Sequence, residues 1–246
     1  MRPGSLVGRV AIVTGAARGI GYAIAEAFSD EGARVLIADR DLQAAIAASA
    51  QVAGSVAVGV DVGSHTSVDS MVAAALEEFG RIDILVNNAG IDDTGAITAI
   101  TDEQWDRMVN VNLTGVFYCT RAVTPTMIGQ RYGRIISIGS NLGIIGSIGM
   151  PHYCAVKAGV HGLMRAVARE LAPHGITANT IAPGPVDTDL LRSLPDEILD
   201  RKLADIPLGR FGQVGEIAPT AVLLASAAGG YYTGSTLNVT GGDVMY

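Results

Sequence analysis

Seven short runs rich in β-branched residues recur along the chain, at 10–14, 34–39, 56–61, 84–87, 134–138, 177–182 and 236–239. Between them lie longer segments, among them 64–79, 102–128 and 151–171, whose apolar residues return with helical spacing. Each spacer is long enough for a crossover helix in a βαβ unit. This alternation leaves few architectures open. It predicts an α/β, doubly wound fold of the Rossmann type, with a parallel sheet covered by helices on both faces.

A chain of 246 residues suits one such domain spanning 1–246, and a stretch richer in charge, Pro and Gly around 188–214 reads as a substrate lid. Charged residues make up 17% of the chain against roughly 25% in average soluble proteins, which points to subunit-facing surface and a homo-oligomer. The net charge of −7 argues against nucleic acid or an anionic membrane as partner and for a small-molecule substrate. Cys119 and Cys154 form no paired or zinc-like spacing, and no His or carboxylate cluster has ligand spacing, so no metal is expected. The charge-free stretch 135–156 is interrupted by Gly, Ser, Asn, Pro and His and reads as strand, loop and helix start rather than a membrane span. The first residues lack an apolar signal segment, and a cytoplasmic location is expected.

The first strand runs into Thr14-Gly15-Ala16-Ala17-Arg18-Gly19-Ile20-Gly21, where a helical pattern begins at once. Glycines permit a tight turn and close approach of a pyrophosphate, and free N–H groups at the helix start attract the anion. Asp39 closes the second strand, where a carboxylate accepts from the adenosine ribose hydroxyls and repels a 2′-phosphate. Its alternative role is to cap the helix that starts near Asp41. Arg18 and Arg40 are guanidiniums that would pair with a 2′-phosphate. On balance Asp39 places NAD(H) ahead of NADP(H).

Tyr153 and Lys157 stand at i and i+4 on one helix face, with Ser140 in the Gly-rich stretch upstream. An ammonium beside a phenol lowers a pKa that is ordinarily ~10 and makes an acid/base usable near neutrality.

Together these motifs resemble the short-chain dehydrogenase/reductase family, in its single-domain branch. The Gly-rich turn matches that family's Thr-Gly-x-x-x-Gly-x-Gly. Asn87-Asn88-Ala89-Gly90, Asn110-Val111-Asn112, Ser140, Tyr153 with Lys157, Pro183-Gly184, and the run from Thr233-Gly234 to Gly242 follow in family order. The resemblance implies a seven-stranded sheet of order 3-2-1-4-5-6-7 and hydride transfer between a nicotinamide and a secondary alcohol or ketone. It gives Tyr153 the proton exchange with the substrate oxygen, and gives Lys157 the tuning of Tyr153 and the hold on the nicotinamide ribose. Ser140 is implied to align the substrate oxygen, and Asn112 to fix a relay water through a local distortion of its helix. Asp61 and Val62 would meet the adenine, and Asn88, Ala89 and Gly90 the adenosine ribose. Pro183, Gly184, Val186 and Thr188 would flank the nicotinamide. A homotetramer is the family's common state.

The substrate side is read by position around the catalytic loop and lid: Asn141, Leu142, Ile145, Met150, His152, Pro185, Leu190 and Leu191, mostly apolar. Asp92 and Asp93 are placed in a solvated loop rather than in the cleft. Within the same chemistry the chain also resembles 3-oxoacyl-carrier-protein reductases, although Asp39 disfavours the NADPH those enzymes usually take. A nucleotide-binding scaffold without turnover is the remaining alternative.

Overall fold

The computed structural model describes residues 4–192 and 196–245. Strand β1 (Val10–Thr14) leads to helix α1 (Gly19–Asp30), β2 (Arg34–Asp39), α2 (Leu42–Ser49), β3 (Ser55–Gly59), α3 (His65–Phe79) and β4 (Ile84–Asn87). The second half runs through α4 (Asp102–Val109), a π-helical turn (Asn110–Thr114), α5 (Gly115–Gln130), β5 (Gly133–Ile138), α6 (Leu142–Ile145) and α7 (Pro151–Leu171). It closes with β6 (Ile176–Pro183), α8 (Asp189–Arg192), α9 (Asp196–Ala204), α10 (Val214–Ala225) and β7 (Thr236–Val239). The strands form one parallel sheet in the order β3-β2-β1-β4-β5-β6-β7, as expected.

Alternate side chains of each central strand enter opposite layers, which is why these runs are apolar throughout instead of alternating. Ala11, Val13, Val35, Ile37 and Val86 pack with Phe28 and Ile24 of α1 and Leu224 of α10. Ile12, Leu36, Leu85 and Ile135 pack on the other side with Met71 of α3, Val123 of α5 and Met164 of α7. Burying a side chain of this size contributes ~1.5–3 kcal/mol, so the two layers dominate the stability.

Two local expectations are corrected. The third strand ends at Gly59 instead of Asp61: its last register partner is Asp39, and past that point the Asp61 carboxylate accepts from Gly63 N (2.9 Å) and turns the chain into α3. The long helix expected over 102–128 is split by the π-helical turn, where Gly115 N–H reaches back to Asn110 O. Of the lid segment, α8 and α9 are described; residues 193–195 and the side chain of Leu190 lie outside the described residues.

Candidate functional site

Because the strand order reverses between β1 and β4, the loops after their C-terminal ends diverge and leave a crevice. A cleft of about 630 Å³ lies there, running from Asp39 and Arg40 past Gly19 to Tyr153 and Met150. At the end near Asp39, Gly15 has φ +63°, and a Cβ on it would stand 2.7 Å from Ala89 Cα. Only glycine tolerates both the left-handed backbone and that approach. A Cβ on Gly21 would meet Gly15 O at 2.4 Å, so this residue serves helix-to-turn packing and does not line the cleft. Gly15, Arg18, Gly19 and Ile20 do line it. Asn88 Nδ2 donates to Thr14 O and Gly15 O, both at 2.9 Å, stitching the loop after β4 to the turn. Asn88, Ala89 and Gly90 form the adjoining wall, with Asp61 and Val62 beside them. Ser64, rather than Asp61, caps α3.

Asp39 is committed to the backbone. One carboxylate oxygen accepts from Ala17 N and the other from Asp41 N, each at 3.1 Å, while Asp41 itself caps α2. Exposed Arg18 and Arg40 line the cleft on either side of Asp39 in sequence.

At the other end, Pro151 in the first turn of α7 starts the helix that carries Tyr153 and Lys157. Lys157 is buried; its ammonium donates to Ile138 O at 2.8 Å and lies 5.5 Å from the Tyr153 ring centroid. Burial lowers its pKa to about 8, against a smaller opposing pull from Asp92. Tyr153 behaves differently from expectation. Burial and then the Asp92 charge push its phenol well above the ordinary value, with the Ser140 hydrogen bond acting the other way.

This cost of a buried ammonium gives a prediction. Lys157 favours its neutral form in the fold, so it opposes folding fully below pH 8, and the penalty disappears as pH rises from about 8 towards 10.5. Without added nucleotide, Lys157→Met is expected to melt a few degrees above the parent chain at pH 7, with the gap closing by pH 10, while turnover is lost. A lower melting point at pH 7 would contradict this account.

Ser140 follows β5, and its Oγ accepts from Leu142 N and donates to Asn141 Oδ1, both at 3.1 Å. Asn112, 1% exposed, sits in the π-helical turn and exchanges hydrogen bonds with the Ile91 backbone at 3.0 and 2.9 Å. Its side chain is thus fully occupied, whereas a π turn leaves one main-chain carbonyl outside the regular ladder. Pro183 ends β6, Gly184 N–H is held by Val239 O at 3.0 Å, and the Thr188 hydroxyl donates to Val186 O at 3.3 Å. Pro183, Gly184, Pro185, Val186, Thr188 and Leu191 form this rim of the cleft.

Of the expected substrate residues, Asn141, Leu142, Met150, Pro185 and Leu191 line the cleft. Ile145 is 54% exposed and outside it. His152 is fully buried, turned one helical step from Tyr153, and does not line the cleft either. Sequence reading missed Asp92, Arg107 and Lys202, all of which line the cleft. Asp92 is half-buried there instead of solvated, and its position next to Asn88-Ala89-Gly90 was the available signal. Arg107 and Lys202 arrive from α4 and α9, and nothing local marks them. Among the described residues no group of three His, Cys, Asp or Glu could hold a metal, and no helix is long and apolar enough to cross a membrane.

A Gly-rich turn opening a helix at the sheet's reversal point, with a Tyr-x-x-x-Lys helix and a serine at the far end of the same cleft, defines an oxidoreductase of the short-chain dehydrogenase/reductase class. The chain belongs to that family, and its enzymes act on CH–OH or C=O groups with a nicotinamide dinucleotide. A family model described as enoyl-(acyl carrier protein) reductase matches residues 15–243. The chain is 41% identical over 242 residues to the 3-oxoacyl-[acyl-carrier-protein] reductase FabG of Vibrio cholerae, covering 98% of this chain and 99% of the relative. It is 42% identical over 239 residues to that of Escherichia coli K12, covering 97% and 98%. The crystal structure of gox2181 superposes with a TM-score of 0.95 at 40% identity, covering 98% of both chains.

These relatives correct the cofactor order. Enzymes with their activity usually take NADPH, which overturns the placing of NAD ahead of NADP. Asp39 was given too much weight: its carboxylate is held by two backbone amides, and the cationic side chains on either side of it suit a phosphate.

Proposed function

We propose that the chain is a 3-oxoacyl-[acyl-carrier-protein] reductase that uses NADPH to reduce the 3-oxo group of an acyl thioester to a hydroxyl. The identity to FabG enzymes over nearly the full length of both chains carries this reading. In it, Gly15, Gly19 and the N-terminus of α1 hold the pyrophosphate, and Arg18 and Arg40 pair with the 2′-phosphate. The cleft's length and its glycine turn fit a dinucleotide. The bound dinucleotide supplies the hydride.

The chain's own residues do the rest. Ser140 and Tyr153 hydrogen-bond the 3-oxo oxygen and orient it, and Tyr153 gives up its phenolic proton to that oxygen as charge develops there. A phenol held above its ordinary pKa is fully protonated at neutrality, the form an acid needs. Lys157 holds the nicotinamide ribose, and a carbonyl released at the π turn around Asn112 anchors a water that returns the proton. Leu142, Met150 and Leu191 form an apolar wall for the acyl chain. Exposed Arg121 and Arg131, on and just after α5, are the proposed contacts for an acidic carrier protein.

The test is loss of reduced-cofactor absorbance with a 3-oxoacyl thioester, with NADPH and NADH in parallel and simple ketones as a second panel. A kcat/KM at least about tenfold higher for the thioester with NADPH is expected. Turnover confined to simple ketones, or to NADH, would reject the proposal.

A further inference from the structure

The proposed reduction leaves two cations of the cleft without a task. Arg18 and Arg40 lie on either side of Asp39 in sequence and Lys157 donates to Ile138 O, but Arg107 and Lys202 line the same cleft with no role assigned. Arg9, Arg34, Arg81, Arg192 and Arg210, elsewhere, are each ion-paired to a carboxylate. Among the described residues none forms a hydrogen bond or a close ion pair with Lys202, although the residue is half-buried.

The charges around Lys202 show which part of the cleft it serves. Burial lowers its pKa, while Asp243, in the segment after β7, and Asp92, in the loop after β4, favour the charged form. Its own charge is felt by Cys154, the neighbour of Tyr153 on α7, and Asp92 in turn is felt by both Tyr153 and Lys157. Lys202 therefore belongs to the catalytic end. Arg107 is exposed, its charge is felt by Asp93, and it also lines a side cavity of about 150 Å³ with Gln104. Of the two cations, Lys202 is the one placed to meet a substrate held by Tyr153.

An ammonium carries three donors and no acceptor. Holding it half-buried and unpaired is unfavourable, and an acceptor brought by the substrate relieves that cost. A 3-oxoacyl thioester brings one. With its 3-oxo oxygen on Ser140 and Tyr153 and its acyl chain along Leu142, Met150 and Leu191, it has a second carbonyl oxygen two carbons from the reacting one. An isolated ketone presents nothing there. The charges of Asp92 and Asp243 favour a neutral acceptor at that place over a carboxylate.

We propose that Lys202 is a specificity-determining residue: its ammonium donates to the thioester carbonyl, so that the cleft selects 1,3-dicarbonyl substrates over isolated ketones of the same length. This rests on the substrate given under Proposed function. Lys202 takes no part in the proton transfer.

The experiment compares two substrates in two variants. Lys202→Met keeps an unbranched side chain and removes the donors, whereas Lys202→Arg keeps donors. With NADPH, kcat/KM is measured for the 3-oxohexanoyl thioester of N-acetylcysteamine and for hexan-3-one. Lys202→Met is expected to lower the thioester value about tenfold or more and the ketone value less than about threefold, with the dissociation constant for NADPH and the melting temperature unchanged. Lys202→Arg should keep the thioester within about threefold of the parent. A thioester value unchanged in Lys202→Met, or an equal loss on both substrates, would overturn the proposal. A parent chain that turns over only the ketone rejects the proposed function and this inference with it, whereas a parental preference for the thioester that survives in Lys202→Met rejects this inference alone.

Discussion

Tyr153→Phe is expected to lower kcat by about 10³-fold or more while the dissociation constant for NADPH changes less than about threefold. The substitution removes one oxygen and leaves the ring in place. Every other group around the cleft stays: Lys157 keeps its bond to Ile138 O, and Ser140 keeps Asn141 and Leu142. What is lost, on the proposed mechanism, is the proton donor at the one point where the reacting oxygen must acquire a proton. Stopped-flow reduction with NADPH, together with cofactor titration by fluorescence, separates the two quantities. Turnover within tenfold of the parent would assign the proton to another group, and a large loss of NADPH affinity would show that the phenol is part of the cofactor site's framework instead.

Asp83→Ala is expected to have the largest effect on stability. The residue is fully buried just before β4 and accepts from Val10 N at 3.0 Å, Arg9 at 3.1 Å, and Arg81 twice at 2.8 and 2.6 Å. Alanine strands a buried N–H and two guanidiniums, of which Arg9 is also stacked on Tyr132 at 3.8 Å. Breaking one partner out of a buried charge cluster costs roughly 3–5 kcal/mol, and the partly exposed arginines favour the lower end of that range. About 3 kcal/mol corresponds to a melting point lower by roughly 6–12 °C in a chain of this size. Asp83 precedes its strand, at the end of the sheet opposite the cleft, so kcat of the folded fraction should be unchanged. A fall of less than about 2 °C would mean that water satisfies these donors.

The contrast between these two residues bears on what a sequence reveals. The place of Tyr153 in the cleft was legible because its neighbours there stand at fixed local spacing: a lysine one helical turn on, a serine just after a strand. The Gly-rich turn was legible for a local reason too, since Gly15 and Gly19 answer to backbone conformations that only glycine adopts readily. Residues that reach the cleft from distant elements were not. Lys202 is delivered by α9 and Arg107 by α4. His152 shows the converse. Neighbouring the proposed catalytic Tyr153 in sequence suggested a place in the cleft, but one helical step is a rotation of about 100°, and the His152 ring is buried outside the cleft lining. Asp39 was found correctly at the end of β2, yet its hydrogen bonds to Ala17 and Asp41, which decide how much of the carboxylate faces a ligand, are tertiary facts.

The π-helical turn at Asn110–Thr114 also limits how this chain can change in length. Removing one residue there would restore an ordinary ladder, a local gain, but would swing α5 by about 100° relative to α4. Val116, Cys119 and Val123, all packed in the core, would then leave it together. The extra residue is therefore locked in from two directions, by the hydrogen bonds of Asn112 to the Ile91 backbone and by the packing downstream. Single-residue deletions between 110 and 114 should be far less tolerated than deletions of the same size in the exposed loop at 94–99, although the helix itself would be the more regular for them.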